Sequence, residues 1–376
     1  MGIDIERQEK AKEYARIRHR LLAADLVISA LAFVLVLATG LSVWLRDAVL
    51  SLSTNPFLAT EIYFVIGIAV YALLFVPMTY YSGFVLPHRY GLSTQNFRAW
   101  VLDLVKGGAL SLVLGSVVIQ VIYLLLRDVP DWWWLITAAF LLLFSVVLAN
   151  LAPVLIFPIF FKFKPLDDAD LVNRLMRLAA NAKTRVNGVY TMVLSDKTTA
   201  ANAAFMGLGN TKRIVLGDTL YKNFTPDEIE TILAHELGHQ VHNDIVRGIA
   251  VQTVLTLIGF FIADIVMRAG IAWLGFNGIA DLAAMPLLGL ALGAFGLITM
   301  PLGNWYSRVR EVAADRYALE TTRNPQAFIR AFEKLANQNL AEIEPEAWVE
   351  WLLHDHPSIG KRVAMGKAYM KTESPA

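Results

Sequence analysis

Long apolar stretches alternate with short polar ones through the first 160 residues. They lie at 21–45, 60–85, 101–126 and 132–160, and two more follow at 249–275 and 283–306. Each offers about the 20 residues that a helix needs to cross a bilayer. No window between 165 and 245 is long or apolar enough to do the same. The pattern therefore predicts six membrane spans, with a polar domain between the fourth and the fifth. Before the first span, residues 1–20 carry Arg7, Lys10, Lys12, Arg16, Arg18 and Arg20 and read as a solvated helix beside the membrane. The fourth span contains Pro153 and Pro158, which are expected to kink or end it. Asp264 and Arg268 lie one helical turn apart in the fifth span and predict an ion pair near its outer end.

The polar domain reads as a helix over 168–182, a strand over 188–194, an exposed strand over 198–207, a strand over 212–217 and a helix over 225–243. Thr225, Pro226 and Glu228 supply an N-cap, a first-turn proline and a capping box for that last helix. Ile229, Ile232, Leu233 and Leu237 then recur at helical spacing. This α+β unit is too short to bury a large core alone and is expected to rest on the membrane helices. The organisation expected is thus an N-terminal helix (1–20), four spans (21–160), the polar domain (161–248), a membrane hairpin (249–306) and C-terminal helices (307–376). The fold class is mainly α, a helical bundle or barrel in the membrane with a small α+β domain.

Composition sharpens this picture. Of 376 residues 56% are hydrophobic and the mean hydropathy is +0.51, too apolar for an ordinary soluble domain. The net charge of +1 gives no electrostatic reason to expect nucleic acid. The chain has no cysteine, so a metal must be held by His, Asp or Glu. Lys and Arg concentrate at the ends of the spans that also hold both termini and the 225–243 helix, and these are expected in the cytoplasm. Trp132, Trp133 and Trp134 are expected to anchor the opposite interface.

The chemistry centres on His235-Glu236-Leu237-Gly238-His239. On a helix, His235 and His239 project from one face, at the spacing with which two imidazoles hold one Zn²⁺. Glu236 stands beside them, where a carboxylate can take a proton from a water that the metal acidifies. A catalytic zinc usually takes three protein ligands. His242 is too far along the axis to share the ion and reads as a surface or supporting residue. The better third ligand follows the sixth span, in Ser307-Arg308-Val309-Arg310-Glu311-Val312-Ala313-Ala314-Asp315. Glu311 would complete a His₂Glu set, and Asp315, one turn on, can accept the free N–H of a ligating histidine. The ion is then clamped between the cytoplasmic ends of the fifth and sixth spans, with the histidine helix running straight into the fifth.

These stretches together resemble the type I CaaX prenyl proteases, integral-membrane zinc peptidases. FVLPHRYGLSTQNF (84–97), APVLIFPIFFKFKPL (152–166), AANAAFMGLGNTKRIVLGDTL (200–220) and AWVEWLLHDHPSIGKRV (347–363) are similar to family segments in the same order. The resemblance implies a helical barrel around a chamber and zinc-dependent cleavage near the C-terminus of prenylated substrates. It also implies His235, His239 and Glu311 as ligands and Glu236 as base. Asn202 and Ala203 fall on the strand where the family binds substrate. His356 and Arg362 fall in its HP…R motif, with His356 stabilising an oxyanion and Arg362 binding a substrate carboxylate or bracing the site. Eukaryotic members have seven spans and animal members a long acidic insertion before the histidine motif; this chain shows six spans and no such insertion. Its C-terminal KTESPA carries no retrieval signal. These departures point to a prokaryotic relative in a plasma membrane, whose natural substrate is expected to differ from the family's. The alternatives are a membrane quality-control zinc protease and a transport or lipid-binding protein with a vestigial zinc site.

Overall fold

The computed structural model describes residues 2–207 and 211–373; residues 208–210 of the 200–220 stretch and the tail beyond Glu373 lie outside it. The chain opens with α1 (Ile5–Ala38), capped by Asp4, which accepts from the Arg7 amide. The polar N-terminal segment and the first apolar stretch are one unbroken helix. Thr39 and Gly40, the latter left-handed at φ 74°, end it earlier than the apolar run does. The remaining apolar residues start α2 (Leu41–Leu52). Asn55 caps α3 (Pro56–Tyr80), which continues through a π-helical turn into α4 (Leu86–Arg89). Asn96 caps α5 (Phe97–Asp128). Then α6 (Trp133–Leu151) passes through a π-helical turn that holds Pro153 and ends as α7 (Phe157–Phe160).

A four-stranded sheet follows, in the order β1-β2-β4-β3. Its elements are β1 (Phe163–Pro165), α8 (Ala169–Asn181), β2 (Val189–Met192), β3 (Ala203–Met206) and β4 (Arg213–Gly217). β2 and β4 pair in parallel, and β1 and β3 flank them antiparallel. β1 is too short to show an alternating pattern in the sequence. The exposed strand expected over 198–207 is shorter because its first residues tie down a loop. Thr198 and Thr199 donate to the carbonyls of Leu92 and Gly91.

After α9 (Asp218–Asn223) comes α10 (Pro226–Val241), whose capping box closes as the sequence predicts. The chain then enters α11 (Asp244–Leu274), and α12 (Met285–Thr322) runs back packed against it. Three more helices complete the structure: α13 (Pro325–Asn339), α14 (Ala347–Leu353) and α15 (Ile359–Glu373).

The helices long and apolar enough to cross a membrane number six among the described residues: α1, α3 with α4, α5, α6 with α7, α11 and α12. They close a ring. α1 meets α3 through the Ser29 and Tyr71 hydroxyls, 2.9 Å apart, and Ser116 of α5 donates to Glu61 of α3 at 2.6 Å. α5 packs on α6, α6 on α11, α11 on α12, and α12 on α1 again. At the end remote from the sheet, Arg46 of α2 reaches buried Asp281 at 2.6 Å. The expected Asp264–Arg268 pair forms there at 2.8 Å. Trp133 departs from expectation: it is fully buried and donates to Asp264 at 2.6 Å, so it packs inside the bundle and is no interface anchor. The partner for its N–H explains why an indole accepts that position.

The polar domain has a large core and a smaller one around Met192, Leu194 and Val215; the large one holds the site. Leu171, Leu175 and Leu178 of α8, Ile214 and Leu216 of β4, and Ile229, Leu233 and Leu237 of α10 pack together with Phe328 and Phe332 of α13. The C-terminal helices thus supply the apolar surface that the 161–248 segment lacks.

Candidate metal centre

The centre forms where α10 and α12 cross. The apolar stripe of α10 is buried in the core, which turns His235 and His239 towards α12. The helices approach closely because position 238 is glycine: a Cβ there would lie 2.9 Å from the Ala314 Cα. Glu311, one turn before Ala314, thereby reaches both imidazoles. His235 Nε2 and His239 Nε2 are 3.3 Å apart. The Glu311 carboxylate oxygens stand 3.3 Å from the first and 3.2 Å from the second. Glu236 points off the same turn and is half-buried.

Each imidazole is held from behind by a carboxylate. Asp315 Oδ1 lies 2.8 Å from His235 Nδ1, and Asp244 Oδ2 lies 2.9 Å from His239 Nδ1. Each carboxylate also has an arginine. Arg362 grips fully buried Asp315 with two bonds, at 2.8 and 2.5 Å. Arg310 holds Asp244 at 2.6 Å. Asp315 sits where the sequence put it; Asp244 and Arg310 were not anticipated. The expectation of a helix running straight into the fifth span is what hid them. His242 ends α10, Asn243 turns left-handed at φ 55°, and α11 starts afresh at Asp244. The turn swings Asp244 back beneath His239. Asn-Asp is the available signal, since asparagine tolerates the left-handed region and aspartate favours a first turn.

The remaining expected residues also converge. His356 is exposed, with Nδ1 2.8 Å from Asp355 and Nε2 3.3 Å from Glu311. Its loop is fastened to α12 by Asn304 and Arg308, which donate to the carbonyls of Leu352 and Glu350. Arg362 is 6% exposed, and its guanidinium lies 3.9 Å from the centre of the Phe332 ring. Of the two roles expected for it, the geometry supports the brace: a buried guanidinium committed to Asp315 does not face an incoming carboxylate. His242 packs its ring against Tyr317, away from the three converging groups.

Asn202 and Ala203 lie at the start of β3, an edge strand packed against α10. Gly217 N donates to Asn202 O at 2.8 Å. In an antiparallel pair bonded positions alternate, so the main chains of Asn202 and Ala204 face β4, whereas those of Ala203 and Phe205 face the open edge. Phe205 is thus an edge residue that the sequence reading left out.

The three converging groups fit a cation. If each Nδ1–H is given to its carboxylate, each Nε2 presents a lone pair to the same small space as a carboxylate. Glu311 Oε2 is buried there with no hydrogen-bond partner among the described residues. Such a cluster of acceptors is stable only around positive charge. A proton serves that purpose too. Burial and Arg362 oppose a charged His235, yet Asp315 and Glu311 outweigh them and hold its pKa up at about 9.

Comparison with known proteins places this centre in a family. The model for peptidase family M48 matches residues 165–368, which contain all three groups. The chain belongs to peptidase family M48. The N-terminal part, residues 2–162, matches the model described as CAAX prenyl protease N-terminal, five membrane helices. Here that part holds five helices of twelve residues or more, four of them long enough to span. An uncharacterized metalloprotease of Bacillus subtilis, YhfN, is 29% identical over 94% of this chain and 84% of its own length. The probable CAAX prenyl protease 1 of Schizosaccharomyces pombe is 29% identical over 83% of this chain and 66% of its own length. The crystal structure of S. mikatae Ste24p superposes with a TM-score of 0.87 at 24% identity, covering 97% of this chain and 90% of that one. This M48 protein is a multi-pass membrane metalloprotease of the CAAX prenyl protease type, and membership in the family implies a metal.

Proposed function

We propose that this M48 protease cuts peptide bonds near the C-terminus of protein substrates at the cytoplasmic face of the plasma membrane. One zinc ion is held by His235, His239 and Glu311. The observation that carries this is their separation. Two ligand atoms each about 2.0–2.1 Å from a tetrahedral zinc stand roughly 3.3 Å apart; here the two Nε2 atoms are 3.3 Å apart and each lies 3.2 to 3.3 Å from one of the two Glu311 carboxylate oxygens. Zinc, when bound, lowers the pKa of water and polarises a carbonyl oxygen.

The chain's own residues do the rest. The substrate adds as a strand along β3, taking main-chain hydrogen bonds from Ala203 and Phe205, with Asn202 at the entry. Glu236 takes the proton of the attacking water on its carboxylate and hands it to the leaving amine. His356 Nε2–H, steadied by Asp355, donates to the oxygen on which negative charge develops. Asp315, held by Arg362, fixes the ring of His235. The centre lies at the ends of α11 and α12, so a bond close to a membrane-held end of the substrate is the one within reach. That supports substrates with a lipidated C-terminus, as the names of the eukaryotic relatives suggest.

Cleavage mapping by mass spectrometry tests this on detergent-purified protein, with matched farnesylated and unmodified CaaX peptides. A single cut before the last three residues, absent from Glu236→Gln and abolished by a chelator, is the expected result. A cut confined to the farnesylated peptide makes the lipid part of recognition. Scattered cuts in both peptides would overturn the reading in favour of a quality-control protease, and no cut by zinc-loaded protein would overturn the substrate class.

A further inference from the structure

We infer that Asp244 and Arg310 form a second carboxylate–arginine brace that positions His239 as a metal ligand, and that the left-handed turn at Asn243 exists to deliver it. The inference rests on the zinc site proposed above and deepens it.

The geometry mirrors the other side of the centre. On one side Arg362, Asp315 and His235 form a chain of contacts, and on the other Arg310, Asp244 and His239 do the same. Both aspartates lie within hydrogen-bond distance of an Nδ1. A ring that gives its Nδ1–H to a carboxylate has one rotational setting and one tautomer, with the Nε2 lone pair aimed forward. Without Asp244 the ring of His239, 21% exposed at its side chain, is free to turn about its side-chain bonds.

Two further facts separate this arrangement from an incidental ion pair. Asp244 and Arg310 are 10% and 17% exposed at their side chains, so water screens the pair little. Arg310 also immediately precedes Glu311, the third converging group. The pair therefore links the first residue of the α11 span to the turn of α12 that carries a ligand. Continuing α10 straight through Asn243 would carry residue 244 past His239, five positions on, and off its face. The positive φ at a non-glycine residue makes the carboxylate available.

Asp244 does not touch substrate in this scheme; it is a positioning residue. The test uses the full-length detergent-solubilised protein, with zinc affinity measured by chelator competition. The variants are Asp244→Ala, Asp244→Asn and Arg310→Lys. Cobalt(II) in place of zinc reports ligand geometry through its visible absorption bands. Asp244→Ala is expected to weaken zinc binding by about 10- to 100-fold and to alter the cobalt bands. Asp244→Asn, which keeps an acceptor without the charge, should fall between it and the wild type, and Arg310→Lys should stay near the wild type. Melting of the metal-free protein should not follow this order. Zinc affinity within twofold of wild type in both Asp244 variants, with unchanged cobalt bands, overturns the inference. So does a loss that tracks metal-free stability alone. A wild-type protein that binds no zinc, or Glu311→Ala that binds it as well as wild type, would instead sink the site on which the inference rests.

Discussion

Gly238→Ala tests how tightly the centre depends on the approach of α10 to α12. The new methyl would stand 2.9 Å from the Ala314 Cα and 3.2 Å from both its Cβ and its carbonyl oxygen. Ordinary contacts of this kind begin near 3.4 Å, so the helices must part by about half an ångström. The obstacle is backbone, which cannot swing aside. Overpacking of this kind costs about 1–3 kcal/mol. Alanine in mid-helix returns up to about 1 kcal/mol through propensity, which leaves a net loss of about 0–2 kcal/mol in the metal-free protein. The proposed zinc centre is less forgiving, because ligand distances are held to within roughly 0.2 Å. Binding must pull Glu311 back towards the histidines against the new contact. That compression of about 1–3 kcal/mol appears as a loss of roughly five- to a hundredfold in zinc affinity. The assay is chelator competition beside thermal melts of the metal-free and zinc-loaded forms. The expected signature is a gain in melting temperature on adding zinc that is smaller than the wild-type gain. Wild-type affinity in Gly238→Ala would refute the reasoning and show that the ligands do not depend on this helix contact.

Other outcomes follow from the same structure. Arg362→Ala leaves Asp315 buried without its cation; a loss on the order of 3–5 kcal/mol is expected, read as a fall in melting temperature or in folded yield. Ala203→Pro removes one outward N–H from the edge of β3 while sparing the bonds to β4. It should raise KM for peptide and leave zinc affinity unchanged, and an unaltered KM would count against strand addition. Asp218, despite partial burial, has its pKa pulled down to about 2 by the Ser195 hydroxyl and the amides of Ser195 and Leu194. A folded-state pKa below the unfolded one contributes stability above the ordinary carboxylate range, lost as pH falls through about 2. The contribution is about 2 kcal/mol at neutral pH and roughly half that by pH 3, so the deficit of Asp218→Asn in thermal melts should narrow on acidification.

The spans were legible because a bilayer demands a long run of apolar residues whatever the tertiary contacts. The α10 helix was legible because its cap, its proline and its stripe agree. His235, His239 and Glu311 could be joined across 76 positions because the hairpin returns the chain to the side it left. What escaped depends on single backbone turns. Asp244 was invisible because one left-handed asparagine redirects the chain. The end of α1 was misplaced because the apolar run continues through Gly40 into a different helix. Trp133 reads as an interface residue because indoles usually lie there, and only the bundle shows the buried carboxylate that holds its N–H. The outward face of Phe205 needed the register of β3 on β4, which no local pattern fixes.

The converging groups sit on both sides of a membrane hairpin: His235 and His239 precede it and Glu311 follows it. A chain in the course of synthesis cannot assemble this set until two helices have crossed the bilayer and come back. If the hairpin fails to insert, or inserts only once, Glu311 is left on the wrong side or beyond reach. Assembly of the proposed zinc site is therefore tied to correct topology. A nascent or misinserted copy lacks the assembled set and is inert as a protease.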